Sequence, residues 1–85
     1  MGTLDKLKAR VQKIPADFTY SECKRLLQML GYKEMNKGKT SGSRVKFYRE
    51  TDQAIIMLHK PHPGDEMRKK AVQDIVQKLK EYGDL

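Results

Sequence analysis

The sequence predicts one α+β domain, in the order helix, helix, three strands, helix. Two stretches near the start and one near the end repeat apolar residues at helical spacing. Between them lie three short segments rich in β-branched and aromatic residues, separated by turn-forming residues. A second core is excluded by length, because 85 residues bury barely enough apolar surface to outweigh the ordering entropy of one.

Leu4, Leu7, Val11 and Ile14 follow spacings of three, four and three, which sets four apolar side chains on one helical face until Pro15 ends the run. The remaining surface of this helix is basic. A short amphipathic helix leading into a domain is expected to dock on that domain's core, so residues 1–17 read as an N-terminal extension packed on a domain spanning 18–85. Thr19-Tyr20-Ser21-Glu22 has the form of a capping box, with Phe18 and Cys23 placed to close a hydrophobic staple around it. Cys23, Leu26, Leu27 and Leu30 continue as a stripe, and Gly31 can end the helix in a left-handed conformation. Cys23 reads as a small buried hydrophobe.

Tyr32 to Asn36, Arg44 to Arg49 and Ala54 to Leu58 read as an antiparallel meander. In the second segment Val45 and Phe47 alternate with Arg44, Lys46 and Tyr48, so one face is buried and the other shows two cations and a phenol. The third is nearly all apolar, the pattern of a strand covered by helices or paired on both edges, and is expected to be core. The last helix should start at Asp65 or a neighbour, after Pro63-Gly64. Met67, Ala71, Val72, Ile75, Val76 and Leu79 make its buried stripe, and it should end near Gly83. Two helices then cover one face of the sheet and leave the other open.

Eighteen Lys and Arg against 11 Asp and Glu give a formal charge of +7, so a polyanion is the natural partner. No apolar run approaches the roughly 20 residues needed to span a bilayer. The single cysteine cannot form an internal disulfide, and no leader of secretory type opens the chain. A cytoplasmic protein without membrane attachment is expected. DNA fits less well than RNA, since no helix concentrates the Arg and Asn pattern of a recognition helix.

Two clusters carry candidate chemistry. Lys37-Gly38-Lys39-Thr40-Ser41-Gly42-Ser43 joins the first two strands, and its free amides, hydroxyls and cations suit phosphate oxygens. Lys37, Lys39, Ser43, Arg44 and Lys46 are therefore candidate RNA ligands. Gly38-Lys39-Thr40 has the ending of a nucleotide-binding P-loop, but the required earlier glycine falls at Lys33 and a strand follows, so nucleotide hydrolysis is excluded. His59-Lys60-Pro61-His62-Pro63-Gly64 gathers both histidines of the chain. A neutral imidazole at His59 or His62 could remove a proton from a ribose 2′-hydroxyl while Lys60 and nearby arginines stabilise charge on phosphorus, a reaction needing neither metal nor cofactor. As a metal site the histidine pair is two ligands short. The competing structural reading fixes the turn with one histidine and solvates the other.

Gly31-Tyr32, the Lys37-Gly38 to Gly42-Ser43 loop, Val45-Lys46-Phe47 and His62-Pro63-Gly64-Asp65-Glu66, in this order of elements, resemble the HicA toxin family from about Phe18 to the end. The resemblance implies a fold similar to the double-stranded RNA-binding domain, with an extra N-terminal helix here. It also implies metal-independent cutting of messenger RNA and neutralisation by a HicB antitoxin that covers the active site. The family's catalytic histidine closely follows a Gly-Ser pair, whereas Gly42-Ser43 is followed here by Arg44. His62 keeps the second family position, and His59 is an additional histidine. Arginine stays protonated and cannot be a general base, although it can grip a phosphate. A ribonuclease using His62 or His59 therefore competes with a non-catalytic module that binds RNA, an antitoxin or another acidic partner.

Overall fold

The computed structural model describes residues 2–35, 44–61 and 64–85. Its elements are α1 (Thr3–Gln12), α2 (Tyr20–Met29), β1 (Lys33–Met35), β2 (Arg44–Arg49), β3 (Ala54–His59) and α3 (Lys69–Glu81). The strands form one antiparallel sheet in the order β1-β2-β3. This is the expected α+β arrangement, consistent with a fold like the double-stranded RNA-binding domain.

One face of the sheet buries Val45, Phe47, Ala54, Ile56 and Leu58 in a core shared with the helices. α2 contributes Cys23, Leu26 and Leu27, and α3 contributes Val72, Ile75, Val76 and Leu79. α1 packs on α2 and α3 through Leu7 and Val11. It is held there by Arg10, whose Nε donates to Glu22 Oε2 at 2.6 Å and whose Nη2 reaches Asp17 Oδ1 at 3.2 Å.

The capping box forms as its sequence requires: the Glu22 amide donates to Thr19 Oγ1 at 3.1 Å, and the Thr19 amide donates to Glu22 Oε1 at 3.1 Å. α2 closes at Gly31, whose φ is +98°. A side chain there would meet both that strained backbone and Arg49 Cδ, 3.3 Å from the site of a Cβ. Arg49 ends β2 pointing to the helical side. Its guanidinium stacks 4.6 Å from the centre of the Tyr32 ring and donates to Asp84 at 2.7 Å, Asp52 at 2.7 Å and the Leu30 carbonyl at 3.1 Å.

Three expectations are corrected. Ile14 lies beyond α1 with a φ of +50°, packed on the core from a left-handed turn before Pro15 and not from a helical face. α3 begins at Lys69, not near Asp65, because residues 65–67 pair with the start of α2. There the Tyr20 amide donates to the Asp65 carbonyl at 2.7 Å, the Met67 amide donates to the Phe18 carbonyl at 2.8 Å, and Ser21 Oγ donates to the Asp65 carboxylate at 2.8 Å. Among the described residues β3, finally, is an edge strand paired on one side only, and its burial alternates, with Ile55 and Met57 exposed. Its apolar run had masked this alternation.

Candidate functional site

Among the described residues nothing covers the face of the sheet turned away from the helices, and the strand register sets its side chains in rows. Arg44 on β2 stands directly opposite His59 on β3. The next row is Met35, Lys46 and Met57, and the one after it is Lys33, Tyr48 and Ile55. All are exposed except Tyr48, which is half-buried. The Ile55 N–H and C=O both bond the Tyr82 hydroxyl beyond the sheet edge, so by alternation the backbone groups of Met57 and His59 also turn away from β2. Arg44 and His59 are thus a non-hydrogen-bonded pair, the type in which facing Cα atoms come within about 4.5 Å and side chains adjoin. The sheet sets an imidazole and a guanidinium side by side in solvent.

Of the residues singled out from sequence, Arg44, Lys46 and His59 share this face. Lys60 leaves it: its ammonium sits 5.7 Å over the Tyr20 ring at the start of α2. Lys37, Lys39, Ser43 and His62 lie outside the described residues. Lys33 was not anticipated, because its place on the face follows only from its pairing with Tyr48. Arg68, Lys69 and Lys70 were also passed over, since a helix starting at Asp65 absorbs them into its first turns. They open α3 instead, all exposed, with no acidic residue in that turn and no side-chain cap. The three consecutive cations themselves, Arg68-Lys69-Lys70, were the available signal.

Beneath Lys60, the Tyr20 hydroxyl donates to Glu34 at 3.1 Å, and Lys24 pairs with the same carboxylate at 3.0 Å. Burial and this bond push the Tyr20 phenol well above its usual range, so it stays neutral and donates. Burial opposes ionisation of Glu34, yet hydrogen bonds from Lys24 and Tyr20 prevail and hold it below its ordinary value. This cluster ties α2 to β1 and uses its charges internally. Among the described residues, no three His, Cys, Asp or Glu side chains gather where a metal ion could be held.

A family model described as the HicA toxin of bacterial toxin-antitoxin systems matches residues 20–83, about three quarters of the chain. The chain belongs to the HicA toxin family. Membership places this HicA chain in a toxin-antitoxin system, with an antitoxin as its partner. α1 precedes the matched segment. No curated protein and no solved structure matched the chain. Among the described residues, no helix is long and apolar enough to cross a membrane.

Proposed function

We propose that this toxin binds messenger RNA on the open face of its sheet and cuts it without a metal, using an imidazole at His59 or His62 as base and Arg44 as phosphate ligand. The observation that carries the reading is the Arg44–His59 pair. Where the family's histidine is expected the chain has Arg44, and the residue directly across the sheet from it is a histidine. An imidazole can accept the 2′-hydroxyl proton as that oxygen attacks phosphorus, and the 5′-oxygen then leaves with a proton from an acid such as the second histidine. The guanidinium offers paired N–H donors to the non-bridging oxygens, where charge grows in the transition state. Lys37, Lys39, Ser43 and Lys46 act as further phosphate ligands, and Lys60 serves from the neighbouring α2 end. This reading sets the protein in the cytoplasm beside a HicB-like antitoxin.

One observation favours a second, non-catalytic reading. Met35, Ile55 and Met57 are all exposed on the same face, Met57 at 60%, while its one aromatic is half-buried. Aliphatic side chains of this kind suit a polypeptide better than stacked bases. The two readings separate in one assay: labelled single-stranded and hairpin RNA incubated in excess EDTA with wild type, His59→Ala and His62→Ala. Cutting by the wild type that is lost in one variant, with binding retained, establishes the nuclease and identifies its base. RNA that shifts on a gel but stays intact leaves a binding module.

A further inference from the structure

β3 is the outer strand on the side away from β1, and its free edge is only partly closed. At Ile55 the Tyr82 hydroxyl accepts from the N–H at 3.3 Å and donates to the C=O at 3.0 Å. Two and four residues on, Met57 and His59 present the same outward N–H and C=O groups. Among the described residues no backbone or side-chain group bonds them. Nor does β3 carry the lysine or proline that usually blunts an exposed edge. Beside this edge runs a groove of about 720 Å³, with Met67, Ala71 and Ile75 among its lining and Asp74 and Lys78 on the α3 side.

We infer that this groove takes an extended segment of an acidic polypeptide partner, added to the sheet as a fourth strand beside β3. The backbone groups of Met57 and His59 supply four hydrogen bonds, and Tyr82 stops the added strand at Ile55, which sets its register. Side chains of the segment that point inward meet Met67, Ala71 and Ile75 and are apolar. Those that point outward stand opposite Met57 and His59. The residue opposite His59 extends the Arg44–His59 row, so a carboxylate fits there. Asp74 and Lys78 offset each other, and the sign of the field is left to Arg44, Lys46 and the net charge of +7. The same charge disfavours a second copy, whose β3 would bring another +7 to the edge. The antitoxin implied by family membership supplies a polypeptide partner, and the inference does not depend on RNA cleavage.

The test is amide hydrogen exchange on the chain alone and in complex with its antitoxin. In the free chain the Ile55 amide is protected and those of Met57 and His59 exchange rapidly; in the complex the latter two slow by at least tenfold. Two variants accompany it. Met57→Pro removes an N–H that the sheet does not use, and should weaken antitoxin binding at least a hundredfold. Met57→Thr changes the side chain but keeps that N–H, and should stay within about threefold of wild type. Antitoxin binding that leaves both amides fast, absence of binding, or equal affinity of the two variants overturns the proposal. So does protection that rises with the concentration of the chain alone, which assigns the edge to a second copy. Loss of RNA cleavage with amide protection intact would remove the nuclease reading and leave this one standing.

Discussion

At the scale of single residues, charge and burial separate side chains that hold the fold from those free to act. Arg49 and Asp84 are each only 12% exposed, and every nitrogen of the Arg49 guanidinium donates to a carboxylate or carbonyl. Its guanidinium is held protonated by hydrogen bonds to Asp52 and Asp84. Arg49→Ala leaves the Asp84 carboxylate without its counter-charge, with only the Tyr32 hydroxyl still donating to it, and should cost about 3 kcal/mol in urea denaturation. Cys23 is fully buried, and burial pushes its thiol up to about 12. It should resist a thiol reagent at neutral pH in the native state and react only on unfolding; rapid labelling of folded protein would contradict this. Arg44 and His59, by contrast, make no side-chain bond to described groups and face solvent. Arg44→Ala should weaken RNA binding and reduce its salt slope by about 0.7 for each phosphate that the guanidinium neutralises. The sequence marked Arg44 and His59 individually by residue type. Their juxtaposition was not legible, because it depends on the β2–β3 register, which local periodicity does not contain.

At the scale of elements, what could be read depended on how local the cause was. The two ends of α2 were legible because each has a local cause, the capping box within Thr19–Glu22 at the start and the left-handed Gly31 at the close. Thr19→Ala should therefore cost about 1 kcal/mol, measured by the same denaturation. The start of α3 was misplaced because Asp65 and Glu66, a good helix opening in isolation, are drawn into pairing with residues 18–20. The edge position of β3 was misread because an apolar run looks the same whether its alternate residues face a helix or water. Tyr82 is the element-scale consequence: its hydroxyl closes the first outward position of that edge. Tyr82→Phe should lose about 1 kcal/mol and raise the exchange rate of the Ile55 amide specifically. Unchanged Ile55 exchange would show that Tyr82 does not cap the strand.

At the scale of the whole molecule, a net charge of +7 sits on a fold in which Asp17, Glu22, Glu34, Asp52 and Asp84 are engaged in internal ion pairs. Glu22 is held below its ordinary value by hydrogen bonding to Arg10 and Thr19, Asp52 by Arg49, and Glu34 by Lys24 and Tyr20 against the cost of its burial. For carboxylates lowered in the folded state, the stability they contribute is present above their ordinary values of 4.5 and 3.8 and fades as pH falls through the lowered ones. Thermal stability should therefore be flat from neutrality to about pH 5 and drop below about pH 4. Most of the described cations face outward, which is why composition alone could indicate a polyanion but not the surface that meets it. If Arg44 and His59 act on RNA as one unit, their removal should not be additive. Cleavage rates in EDTA for wild type, Arg44→Ala, His59→Ala and the double variant decide this. The wild type should cut, and the double variant should be no slower than about threefold below the slower single one, because each group works only with the other. Losses that multiply, or RNA left intact by the wild type, would show that the pair is not a catalytic unit.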